Sequence, residues 1–154
     1  MPTRSRRLAR LIASGLGSGY SPKAPGTAGS LLALALGAGL MTLSPWALPM
    51  AVAASILLGL ASIGPAGGRE DPGWVVIDEF AGQWIAMLAL SHPSLPGLAL
   101  AFALFRLFDI AKPGPIGWAD RQGGAVGVML DDVIAGAIAA VLLLALRAAV
   151  PGLV

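Results

Sequence analysis

Residues 24–68 read APGTAGSLLALALGAGLMTLSPWALPMAVAASILLGLASIGPAGG, without one Asp, Glu, Lys, Arg or His. A bilayer core of about 30 Å is crossed by about 20 helical residues, so this stretch holds two spans. The natural break is Ser44-Pro45-Trp46, because Pro ends helices and Trp favours the membrane interface. Spans near 29–44 and 47–64 follow.

The rest of the chain fits that reading. Charged residues are 12% of the 154, against roughly 25% in soluble domains, and the mean hydropathy is +0.81. The length suits one domain, 1–154, with a sizeable core. The composition predicts an integral membrane protein, the alternative being a very apolar soluble helical bundle. There is no Cys, so disulfides and thiolate chemistry are excluded. Arg4, Arg6, Arg7 and Arg10 crowd the N-terminus. The stretch after them is too short and Gly-rich for the apolar segment of a signal peptide. A short basic helix over 1–19, resting on anionic lipid, fits better. Four Arg without interleaved aromatics do not point to nucleic acid.

Further along, GPAGGREDPG (64–73) reads as a polar turn. Residues 74–90 read as a third apolar helix, SHPSLP (91–96) as a break, and 97–111 as a fourth helix. Lys112 precedes Pro113, which disfavours continuing the helix. Residues 112–124 read as loop, and 126–149 as a last helix starting near Asp131-Asp132. No strand alternation or fixed-period repeat appears. The expectation is an all-α bundle of about six helices, the last three short for full spans. An N-terminus on the cytoplasmic side then puts all eight acidic residues, and every basic one except Arg147, on that side.

The acids themselves are the second signal. All eight lie between Glu70 and Asp132, and beyond the turn that holds Glu70-Asp71 they include the adjacent pairs Asp78-Glu79 and Asp131-Asp132. A lone Asp at the bilayer centre costs about 2.5–3.5 kcal/mol. Six unpaired acids there would cost on the order of 15–20 kcal/mol, more than the 5–15 of a typical domain. They must lie at the interface, pair with cations, or bind a metal. Adjacent helical residues point about 100° apart, so one member of each pair is expected to face a given pocket. Arg106 and Asp109 stand at i,i+3 on one helix face, and the Pro after Lys112 lets its ammonium turn back. Clustered carboxylates without Cys suggest a hard, oxygen-liganded cation such as Mg²⁺, with Arg and Lys beside it to clamp phosphate.

Several other chemistries are excluded. His92 lies in the 91–96 loop, away from the acids, which removes a phosphohistidine mechanism. The alternate-Asp loop of aspartyl-phosphate phosphatases is missing. PKAPGTAGS (22–30) is not a Walker loop, since no Gly-Lys-Ser/Thr follows. Thr27 or Ser30 is expected to cap the first span there, and its free N–H groups could hold an anion. Metal-assisted attack by water remains, with attack by an Asp carboxylate as the lesser alternative.

Four stretches, GSGYSPKAPGTAGSL (17–31), VVIDEFAGQWI (75–85), FRLFDIAKPGPIGWADR (105–121) and GVMLDDVIAGA (127–137), together resemble the phosphatidylglycerophosphatase A family of bacteria. The resemblance implies an all-α bundle. It also implies Mg²⁺-dependent hydrolysis of the terminal phosphate of phosphatidylglycerophosphate at the inner membrane. Its acidic and basic motif positions match at Asp78, Glu79, Arg106, Asp109, Lys112, Asp120, Arg121, Asp131 and Asp132. One departure is Ala125 after Gly123-Gly124, where family members place the second Gly closer to the Asp pair. On this reading Asp78, Glu79, Asp131 and Asp132 are the metal candidates, with one of them or Asp109 as base. Arg106, Lys112 and Arg121, with Pro25, Gly26 and Thr27, are the phosphate-binding candidates. The rivals are a CDP-alcohol phosphotransferase, whose Asp-Gly-x-x-Ala-Arg motif is absent, and a small cation transporter.

Overall fold

A computed structural model of the chain describes residues 3–150; residues 1–2 and 151–154 of the expected domain lie outside them. Seven α-helices follow one another among those residues: α1 (Arg4–Ala13), α2 (Pro25–Leu43), α3 (Ala47–Ala66), α4 (Ile77–Met87), α5 (Leu95–Ala111), α6 (Pro115–Asp120) and α7 (Gly124–Ala149). None of the described residues forms a strand. Three helices, α2, α3 and α7, are long and apolar enough to cross a membrane.

Local chemistry sets the boundaries. The Thr3 side chain caps α1 by accepting from the Arg6 N–H, and Ser94 caps α5 by accepting from the Gly97 N–H. One expectation at α2 fails. Neither Thr27 nor Ser30 caps it, because Ala24 turns left-handed (φ 47°) and Pro25 starts the helix. The fixed φ of proline suits the first helical position. Ser30 instead donates to the Gly26 carbonyl at 2.8 Å. The basic helix ends at Ala13 rather than near residue 19, since Gly15 and Gly17 adopt positive φ.

Of the four N-terminal arginines, Arg10 is used internally. Its Nε donates to the Ala66 carbonyl at 3.3 Å, where cations are favoured at a helix C-terminus. Its guanidinium also lies 5.4 Å from the Trp74 ring centroid.

Apolar side chains cover the outside of the bundle as well as its core. Leu31, Leu36, Leu57, Leu58, Val141 and Leu144 face outward, while Ser30, Ser55, Ser62, Asp78, Gln83, Asp131 and Asp132 are buried. Lipid solvates the outer side chains as well as a core would, and the inside mixes large apolar residues such as Ile63, Met87 and Phe105 with small and polar groups that let helices approach closely. The short helix α4 is the centre of this arrangement. At about 1.5 Å per residue, its 11 residues are too few to span. It is wrapped by α2, α3, α5 and α7 instead. The turn after α4 nevertheless reaches the opposite end of the bundle. Ser91 shares a cleft with Ser44 and Pro45, and Arg147 donates to the Ala89 carbonyl at 3.0 Å.

The α4–α7 crossing is backbone against backbone. A Cβ on Gly136 would sit 2.3 Å from the Gly82 carbonyl oxygen, and one on Gly82 would lie 2.6 Å from the Asp132 oxygen. Neither backbone can yield without separating the helices. Gly136→Ala is therefore expected to cost about 1–3 kcal/mol, readable as a lowered thermal midpoint in detergent. An unchanged midpoint would show that the crossing is looser than this.

Candidate active site

The ends of α2, α4, α5 and α7, with the turn before α4, enclose a cavity of about 480 Å³. Its wall includes Ala24, Pro25, Gly26 and Thr27 from the start of α2, and Asp71, Gly73 and Val75 from the turn. Asp78 and Glu79 enter from α4, Arg106, Asp109, Ile110 and Lys112 from α5, and Asp131 and Asp132 from α7.

One oxygen from each of Asp78, Glu79 and Asp132 lies within 4.8 Å of the others. Both members of the first acidic pair thus serve one cavity, although neighbours on a helix diverge. The cavity lies between the two directions: Gly82, one turn beyond Asp78, touches α7, while Glu79 reaches beside Gly26 of α2. The two pairs share a local device. Asp78 Oδ1 accepts from the Glu79 N–H at 3.1 Å, and Asp131 Oδ1 accepts from the Asp132 N–H at 3.0 Å. The second pair divides its work. Asp131 takes Lys112 Nζ at 2.7 Å and is not part of the trio, whereas Asp132 is.

The cations are placed around these acids. Arg106 is hydrogen-bonded to Asp109, lies 3.9 Å from Glu79 Oε1, and reaches Ser30 Oγ at 3.5 Å. Lys112 ends α5 in a left-handed conformation, φ 44°, which swings its ammonium back onto Asp120 and Asp131. Burial works against that ammonium's charge, but the two carboxylates outweigh it and raise its pKa above the ordinary lysine value. Lys112 therefore stays charged, with two of its three N–H bonds committed. Arg121 is exposed and does not line the cavity. Asp120 meets the site only through Lys112.

A hard divalent cation fits the trio. Glu79 Oε2 and Asp132 Oδ2 are buried without a hydrogen-bond partner. Such an orphaned acceptor costs about 1–3 kcal/mol or more, and three carboxylates this close repel one another. Arg106, held by Asp109, approaches the trio only at Glu79. All available donors are oxygens, as Mg²⁺ prefers. The local packing is cut to this geometry, since a Cβ on Gly26 would meet Glu79 Oε1 at 2.3 Å.

Two residues beyond the expected set stand out, of which the first lines the cavity. Asp71 lines the cavity from the turn before α4, and Gln83 is fully buried with both amide atoms unpartnered. Gln83 stands one helical turn after Glu79, a spacing that could have drawn attention to it. Asp71 sits in a Gly- and Pro-rich turn, where an acid reads as merely solvated.

Fold and site together define a helical membrane protein with an acidic, cation-rimmed cavity at one end of its bundle. The chain matches the family model described as Phosphatidylglycerophosphatase A over residues 11–147. It is 42% identical over 135 residues to phosphatidylglycerophosphatase A of Escherichia coli K12, covering 84% of this chain and 78% of the relative. The Haemophilus influenzae protein of that name is 39% identical, over 89% of this chain and 87% of the relative. A Bacteroides thetaiotaomicron relative named putative phosphatidylinositol-3-phosphatase is 43% identical, over 89% and 92%. No solved structure matches the chain. The chain belongs to the phosphatidylglycerophosphatase A family and is a lipid phosphatase.

Proposed function

We propose that the chain hydrolyses the terminal phosphomonoester of phosphatidylglycerophosphate to phosphatidylglycerol and phosphate, with Mg²⁺, at the cytoplasmic face of a bacterial inner membrane. The observation that carries this reading is the trio of buried carboxylates with orphaned oxygens, set against Arg106 at the end of the bundle where the apolar spans stop. A phospholipid phosphate sits at that level. The Arg cluster of α1 at the same end supports the cytoplasmic orientation.

Asp78, Glu79 and Asp132 would hold the ion, with Asp131 beside them as the partner of Lys112. When bound it would supply positive charge to the phosphate oxygens. Arg106 provides a planar, always-charged donor group for the phosphoryl oxygens. Lys112 keeps one N–H for the same purpose. The free N–H groups of Gly26 and Thr27, in the first turn of α2, add donors where the helix dipole favours an anion. Asp109, against Arg106 and outside the trio, would take a proton from the attacking water.

Phosphate released from phosphatidylglycerophosphate by the purified protein tests this reading. Turnover in Mg²⁺ should fall more than about 100-fold in EDTA, corresponding to at least two tenfold steps of barrier, and return when Mg²⁺ is restored. Equal release in EDTA would remove the cation from the reaction. The name of the Bacteroides relative favours one second reading, a phosphoinositide headgroup. Phosphatidylinositol 3-phosphate run in parallel should be the poorer substrate by kcat/KM.

A further inference from the structure

Six of the seven carboxylates in and around the cavity already have work. Asp109 holds Arg106, Asp120 and Asp131 hold Lys112, and Asp78, Glu79 and Asp132 form the trio. The seventh, Asp71, lines the same cavity. Among the described residues no hydrogen bond or ion pair engages its side chain. It is an exposed residue in the turn between α3 and α4, and so stands at the cavity mouth in reach of bulk water. Its backbone is left-handed, φ 51°, a conformation uncommon for residues other than Gly and tolerated best by Asn and Asp. Gly73 of this turn and Pro25 at the start of α2 line the cavity together with Asp71, and a Cβ added at Gly73 would lie 3.8 Å from Pro25.

We infer that Asp71 is the general acid of the reaction, giving its proton to the oxygen that leaves phosphorus. This rests on the phosphomonoesterase reading above. An alkyl phosphate expels an alkoxide, a poor leaving group unless protonated as the bond breaks. The attacking water's oxygen bonds to phosphorus, and the ester P–O bond breaks with its electron pair passing to the lipid oxygen. The carboxyl proton of Asp71 converts that oxygen to the alcohol. The water's proton leaves by a cavity carboxylate and ends on phosphate, and Asp71 regains a proton from solvent at the mouth. Among the described residues lining the cavity, Asp71 is the carboxylate with neither an ion-pair partner nor a place in the trio. His92 lies at the far end of the bundle, bonded to Ser91, and Lys112 is committed twice over.

The surroundings of Asp71 agree with that role. Desolvation raises its pKa. Lys112 opposes the rise, and Asp120 and Asp109 add to it. Those three groups, on α5 and at the end of α6, with Asp78 on α4, are the charges that act on it.

Asp71→Asn tests the role without disturbing the turn, because Asn accepts left-handed backbone at least as well. With phosphatidylglycerophosphate as substrate, kcat should drop by about 10²–10⁴-fold, the usual contribution of an acid or base, while KM changes little. The basic limb of the pH–kcat profile should vanish in the variant. Mn²⁺ binding, followed by electron paramagnetic resonance, and the thermal midpoint should match the parent. A kcat within threefold of the parent overturns the inference, and so does a loss confined to KM. Weakened Mn²⁺ binding would make Asp71 a ligand instead. Phosphate release absent from the parent itself would overturn the proposed activity, and this role with it.

Discussion

Asp132→Asn is expected to reduce phosphate release by more than about 1000-fold, roughly three tenfold steps of barrier, while the protein remains folded. Asp132 supplies one of three oxygens within 4.8 Å of each other, and its Oδ2 is buried and unpartnered. Asparagine keeps the shape, removes the charge, and puts an amide where a cation should bind. Stability separates this cause from misfolding. Without a divalent ion, deleting one of three crowded like charges relieves repulsion, so the variant should unfold no earlier than the parent. With Mg²⁺ at 100 times its dissociation constant, the parent should gain about 2.7 kcal/mol and the variant should gain none. Thermal melts with and without Mg²⁺ would show it. A variant that responds to Mg²⁺ as the parent does would remove Asp132 from the cation site.

Gly26→Ala should be nearly as damaging, by a different route. Its new methyl group would stand 2.3 Å from Glu79 Oε1 and 3.3 Å from Arg106 Nη1. The obstructing atoms are the ends of flexible side chains, so the fold can accommodate the methyl by turning Glu79 aside, and the thermal midpoint should move little. The site cannot accommodate it, because Glu79 then leaves the trio and Arg106 loses its setting. A loss of kcat/KM on the order of 100-fold is expected, since displacements of about 1 Å cost that much. Partial recovery at high Mg²⁺ would fit a displaced ligand. Retained activity at ordinary Mg²⁺ would show that Glu79 is not needed where it stands.

Which features could be read from the chain follows from which physics is local. The two spans between Ala24 and Gly68 were readable because burial in lipid acts on every residue of a segment. They appear as α2 and α3 with shifts of a few residues. The grouping of acids at one end was readable because an unpaired charge is costly anywhere else. Helix α6 was not. Its six residues carry two Gly- and Pro-rich signals that suggest loop, and it forms because Ile116 and Ala119 bury against α7. The last helix, expected over 126–149, spans Gly124–Ala149, so Asp131 and Asp132 sit about two turns inside it rather than near its start. The backbone there tolerates Gly123 and Gly124 at positive φ, a property no hydropathy pattern reports. Asp71 was hidden because its position depends on the turn seating against α2, more than 40 residues earlier in the chain.

The two acidic doublets also act as an angular gauge. On α7, Asp131 addresses Lys112 while its neighbour, about 100° around the axis, addresses α4. Rotating α7 by one residue would leave a carboxylate at the trio but strip Lys112 of one of its two counter-charges and turn the neutralised acid into the bare one. A helix in a greasy environment can spin about its axis with little change in apolar contact. Here the doublet makes such a spin electrostatically expensive, so two adjacent aspartates reinforce the orientation that the Gly136–Gly82 contact gives a 26-residue helix and that its leucines leave undetermined.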